Sequence, residues 1–200
     1  MAFRYDTRHL PKQTQQIINK RDQNNKILKE ESIITQTTNV YPISIFMKLG
    51  NDSTLNVNGN ITMGIYKDFC DKNKEVWFST DSLSKGMSSK RRKEFLEAIN
   101  NNEIVEMYFV IGKGSNGNND IQYKADVLDI ETDANGLTSP NMKLTPQEYI
   151  NENKKIWIKI CNLKEFTKLT TKDFLVNSTN NSLDESLKKS QHHFGYIRRK

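Results

Sequence analysis

The sequence predicts one α+β domain built on a curved, mostly antiparallel sheet or a small β-barrel. Three observations predict it. Short runs that read as strands recur between residues 41 and 161, without the regular alternation of strand and helix that marks a parallel, doubly wound sheet. Segments with a capping serine and apolar residues at helical spacing are few. The chain has 200 residues and is only 35% hydrophobic, so it can bury one core of ordinary size but not along its whole length.

Residues 1–40 are almost wholly polar (KQTQQIINKRDQNNKILKEESIITQTTN) and read as a partly disordered extension, with the domain occupying 41–200. The compact pattern begins at Tyr41-Pro42-Ile43-Ser44-Ile45-Phe46-Met47-Lys48-Leu49, a strand whose proline sits at its start, where a missing N–H is tolerated. NDSTLNVNGNITMG is rich in turn formers and leads to a short segment around Ile65–Phe69. Glu75–Ser79 reads as a second strand. Ser88 caps a helix whose Phe95, Leu96 and Ile99 share a face, and Asn100-Asn101-Asn102 ends it. Glu103–Ile111 is the most apolar strand. It turns through GKGSNGNN into the alternating run Ile121–Ile130, a hairpin. After a loop with Gly136 and Pro140, a short helix is expected over Pro146–Asn151. In the strand Lys155–Cys161, Ile156, Ile158 and Ile160 share one face and Trp157 packs on the other. A last helix, Leu183–Gln191, follows the cap candidate Ser182.

Charge and cysteine usage narrow the function classes. Thirty Lys+Arg against 24 Asp+Glu leave a net charge of +6, and a pI near 9.2, a modest basic excess that admits nucleic acid as a partner. Cys70 and Cys161 are too far apart in sequence for a CxxC knuckle and too few for a disulfide framework. No apolar run approaches the roughly 20 residues of a membrane span, and MAFRYDTRHL lacks the apolar region of a signal peptide. A soluble intracellular protein, cytoplasmic or nuclear, is expected, with no membrane partner.

Catalytic signatures are absent. GKGSNG lacks the spacing of a phosphate-binding loop and leads into a strand. His192 and His193 are adjacent and therefore point apart, with no carboxylate or thiol at ligand spacing. Asp129, Glu131 and Asp133 read as a solvated strand end. A hydrolase using Asp81, His192 or His193 is the remote alternative. A non-enzymatic binding module without metal or cofactor is the expectation.

Taken in order, Phe46-Met47-Lys48, Val76-Trp77-Phe78-Ser79-Thr80-Asp81, the Lys90–Ile99 helix, the EMYFVIGKGS hairpin and KKIWIKICNL resemble the motifs of the YTH domain and its EVE relatives, members of the PUA-like superfold. The resemblance spans about Ile43 to Gln191. It implies a reader of a modified base, N6-methylated adenine first among candidates, in single-stranded RNA or flipped out of DNA. A methyl group carries no charge, so an aromatic cage selects it by dispersion, shape and stacking. By that resemblance Trp77 is a cage wall and Ser79, Thr80 and Asp81 lie at the base edge, with Leu49 and Asn51 alongside. The family's second tryptophan is missing, leaving Tyr149 and Met142 as the bulky residues nearby. Where the family carries an Arg-Asp pair before the last helix, Thr179 and Asn180 stand here, so Asn180, able to donate as well as accept, becomes the candidate edge contact.

Backbone phosphates would meet Lys48, Lys85, Arg91, Arg92 and Lys113, with Arg198, Arg199 and Lys200 as a mobile basic end. Two other readings remain: a PUA-like protein-interaction adaptor, reaching a partner through the N-terminal extension, and a modified-DNA sensor of a bacterial restriction or defence system. A monomer is expected. Exposure of Trp77 separates reader from adaptor: an open pocket floored by the indole favours the first, a buried indole the second.

Overall fold

A computed structural model describes residues 39–52, 55–189 and 193–200. Expectations about residues 1–38, and about His192, lie outside the described residues. The elements run β1 (Ser44–Leu49), α1 (Gly59–Asn73), β2 (Glu75–Thr80), α2 (Ser89–Asn100), β3 (Val105–Ile111), β4 (Ile121–Leu137), β5 (Lys154–Glu165), β6 (Phe174–Val176), α3 (Leu183–Lys189) and β7 (Phe194–Arg199).

The seven strands form one sheet in the order β2-β5-β4-β3-β1-β7-β6. All neighbours are antiparallel except β1 and β3, which run parallel with Ile45 opposite Met107 and Leu49 opposite Ile111. The α+β class with a mostly antiparallel sheet is found. The expected barrel or PUA-like/YTH-like curved sheet is not: the sheet is open, neither closed nor strongly curled. Closure would need the two edge strands, β2 and β6, to hydrogen-bond to each other, and among the strands of the described residues β2 pairs only with β5 and β6 only with β7. The strand that occupies the second edge of β1, β7, is in the segment read from sequence as a basic tail.

Period-two alternation builds two cores. Ile45, Met47 and Leu49 of β1, with Val105, Met107, Phe109 and Ile111 of β3, face α1 and α2 in the larger core. Phe46, Tyr108 and Val110 point the other way, against Phe174, Leu183, Leu187 and Ile197. The parallel pair is thus buried on both faces, which is why β3 reads as an apolar run broken only by Glu106.

Both major helices have side-chain caps. Ser88 Oγ accepts from Arg91 N at 3.3 Å, as its position predicts. Asn58 Oδ1 accepts from Ile61 N at 3.0 Å and starts a 15-residue helix where the sequence reading expects turns and a short segment. The expected helix over Pro146–Asn151 is a run of turns; a single 3-10 turn stands earlier, at Met142–Leu144.

The C-terminal basic residues are held. Lys200 N donates to Asp173 O at 3.0 Å, and Arg198 Nη2 to Asn180 Oδ1 at 2.9 Å. Arg199 Nη2 donates to Glu106 Oε2 at 2.7 Å and to Tyr108 Oη at 3.0 Å. Glu106 is buried in the middle of the sheet and also accepts from Lys124 Nζ and Tyr108 Oη. Burial alone would raise its pKa, but the hydrogen bonds from Lys124 and Tyr108 and the charges of Lys124 and Arg199 hold it below the ordinary carboxyl range.

Candidate functional site

Beyond the carboxyl end of β1, two cavities adjoin. The first, about 290 Å³, lies between the end of β1, the end of β2 and α1. The second, about 510 Å³, opens toward the Lys113–Ser115 turn and the end of α3. They share Lys48, Leu49, Gly50, Asn51 and His193.

The floor of the first cavity is aromatic. Tyr66 and Tyr149 stack with centroids 4.8 Å apart and planes within 8°, and Tyr66 meets Phe78 at 4.9 Å. Polar atoms rise from that floor to the mouth. Ser79 Oγ donates to Glu152 Oε2 at 3.0 Å and lies 3.3 Å from the Tyr66 hydroxyl. Lys154 Nζ bridges Glu152 Oε1 at 3.2 Å and Asp81 Oδ2 at 3.7 Å, and Asp81 Oδ1 accepts from Lys155 N at 2.8 Å. Burial pushes the Tyr149 phenol up to about 12, and it pushes Tyr66 well above its ordinary value.

Two hydroxyls in this wall have no hydrogen-bond partner: Thr62 Oγ1 and Tyr149 Oη, both buried. They are neighbours, but not in hydrogen-bonding geometry. Buried polar groups are nearly always paired, so two orphans in one cavity wall require an explanation.

Six of the eight residues expected around a base line this cavity: Leu49, Asn51, Ser79, Thr80, Asp81 and Tyr149. The other two do not. Trp77 is buried and absent from the cavity lining, so its indole is not presented to a base there. Asn180 sits in the turn before α3 with φ of 58°, exposed and bound to Arg198. Of the expected phosphate contacts, Lys48 lines both cavities and Lys113 the second. Lys85 is exposed in the β2–α2 connection and lines neither.

Arg91 and Arg92 are engaged elsewhere. Arg91 pairs with Glu94 at 2.6 Å and lies 4.9 Å above the Tyr196 ring. Arg92 holds Ile130 O at 2.6 Å and Glu131 at 2.9 Å, tying α2 to β4. The sequence reading misses Thr62, Tyr66, Glu152 and Lys154. The only local signal was the helical spacing of Thr62, Tyr66 and Cys70 behind Asn58.

Among the described residues no group of three or more His, Cys, Asp or Glu side chains could hold a metal ion. Nor, among them, is any helix long and apolar enough to cross a membrane. Burial raises both thiols, Cys161 to about 11, which keeps them protonated and poorly nucleophilic at neutral pH. Comparison with protein-family models, curated proteins and solved structures finds no match to this chain.

Proposed function

We propose that the chain is a non-enzymatic reader of nucleic acid. It takes one unstacked base, from single-stranded RNA or flipped out of DNA, into the cavity between β1, β2 and α1. The observation that carries this reading is the pairing of two unlike cavities on one shared loop. The first is small, near the lower bound of about 300 Å³ for ligand sites, with an aromatic floor and hydrogen-bonding walls. The second is bordered by Lys48 and Lys113, a basic track along which a phosphate backbone can run, with Lys188 at its edge paired to Asp184 at 2.7 Å.

Selection of N6-methylated adenine through a tryptophan cage does not follow, since Trp77 is buried. Selectivity rests instead on the polar wall and on whatever apolar contact Met47 and Leu49 add. A second reading, a protein-interaction adaptor, is favoured by that same burial of Trp77.

The test is fluorescence anisotropy with plain and N6-methylated oligonucleotides, single- and double-stranded, at two salt concentrations. A reader binds single strands with affinity that falls steeply with salt, and Lys48→Ala and Lys113→Ala each flatten that slope by about 0.7. Absence of binding to every oligonucleotide at low salt rejects the reader and leaves the adaptor.

A further inference from the structure

We infer that the first cavity selects bases presenting an H–N–C=O edge, such as guanine and uracil, and discriminates against adenine and cytosine. This rests on the base-reading function proposed above. It comes from the order in which the polar groups are stacked, hydroxyls deep and carboxylate at the rim.

Thr62 Oγ1 and Tyr149 Oη are buried and unpartnered. Each can donate one hydrogen bond, and a carbonyl oxygen, with two lone pairs, accepts both. The exocyclic group of a base protrudes furthest and reaches the deepest part of the site. Nearer the mouth stands Glu152, whose side chain is 13% exposed. Its Oε2 already accepts from Ser79, and its Oε1 faces Lys154. A carboxylate can only accept. Each of its oxygens retains a lone pair for a ring N–H.

An oxo-base satisfies this array: its C=O goes to the hydroxyls and its ring N–H to Glu152. An amino-base inserted the same way can still donate from its NH₂ to the hydroxyl oxygens. Its unprotonated ring nitrogen, however, then faces the carboxylate lone pair to lone pair. That mismatch, in a desolvated cavity, is what excludes it. N6-methylation does not cure the mismatch, because the ring nitrogen is unchanged.

The orphan hydroxyls give the inference a signature that a merely structural role lacks. Buried unpaired polar atoms destabilise the empty protein, so Thr62→Val and Tyr149→Phe, both close in shape, should raise its urea midpoint while weakening binding. The experiment uses the full chain and nine-nucleotide oligoadenylates with G, U, C, A or N6-methyladenine at the centre, read by anisotropy at one low salt concentration. G and U are expected to bind at least tenfold more tightly than A, C and N6-methyladenine. Glu152→Gln, which can donate, should erase or reverse that ratio. Thr62→Val and Tyr149→Phe should cost tenfold or more for G and U and leave A unchanged.

Equal or tighter binding of the all-adenine strand by the native protein overturns the edge preference while leaving base reading intact. So does a G/A ratio unmoved by Glu152→Gln. Binding that no cavity variant alters, or no binding at all, overturns the base-reading function and this inference with it.

Discussion

Replacing Glu106 with glutamine should cost about 2–3 kcal/mol of folding stability, and the structure supplies the terms. The carboxylate is 2% exposed and accepts from Tyr108 Oη and Arg199 Nη2, each at 2.7 Å, and from Lys124 Nζ. Breaking a buried ion pair typically costs about 3–5 kcal/mol, most of it from stranding the partner charge. Here the partners are not fully stranded. Arg199 is 52% exposed and keeps water, so its share is discounted for screening. Lys124 is more covered and loses its nearest anion, although Asp126 lies 4.0 Å away. Glutamine also turns an NH₂ donor toward groups that already donate.

The assay is urea denaturation at pH 7 with the slope unchanged between variants, so that midpoint shift measures stability. The pH profile checks the sign. The folded-state pKa of Glu106 is depressed, so its stabilisation is fully present above the unfolded value, near 4.3, and is lost as pH falls through the lower folded value. The gap between native protein and Glu106→Gln should therefore be constant above about pH 5 and close on acidification. A loss below about 0.5 kcal/mol at pH 7, within the range of ordinary surface changes, or a gap that widens in acid, would refute the reasoning.

Trp77→Ala should cost about 3–5 kcal/mol as a large-to-small core change. The base preference of the molecules that remain folded should be unaltered, read by urea denaturation and anisotropy on the same preparation. Asn58→Ala removes the α1 cap and should lower stability by about 1 kcal/mol. Because α1 carries Thr62 and Tyr66, faster amide exchange in its first turn should accompany weaker oligonucleotide binding; unchanged exchange there would mean the cap is idle.

Much of this fold is legible locally because the sheet is filled on both faces. Ile156, Ile158 and Ile160 alternate with Trp157 in a pattern that only a two-sided strand explains, and all four are buried. Ser88 announces α2 as plainly. Two elements are not legible. The α1 segment holds Gly59, Gly64 and the β-branched Ile61, Thr62 and Ile65, poor helix formers overridden by packing of Met63, Tyr66 and Cys70 on the core. β7 reads as a charged tail because Arg198 and Arg199 look solvated, and the anion that makes Arg199 a strand residue lies 93 positions earlier in an apolar run. The site divides the same way. Residues on the β1 and β2 ends were reachable from ordered motifs, whereas Thr62 and Glu152 acquire meaning only when α1 and the approach to β5 meet over β2.

The parallel β1–β3 pair explains why the cavities form where they do. Antiparallel neighbours send their following loops to opposite ends of a sheet; parallel neighbours send both to the same end. Leu49 and Ile111 end side by side, so the Gly50–Asp52 loop and the Gly112–Ser115 turn emerge together. They are tied by Ser115 Oγ, which donates to Asn51 Oδ1 at 2.8 Å and accepts from Gly59 N at 2.5 Å. One hydroxyl thus links the loop after β1, which lines both cavities, to the turn after β3, which lines the second, and to the start of α1, the helix that lines the first. The approach is close: a Cβ on Gly59 would lie 2.9 Å from Leu49 Cβ and 3.2 Å from Ser115 Oγ, so only glycine lets α1 start against the strand end. The pocket is therefore built on the rigid ends of paired strands rather than on a free loop, which favours a site that recognises its ligand by fixed geometry.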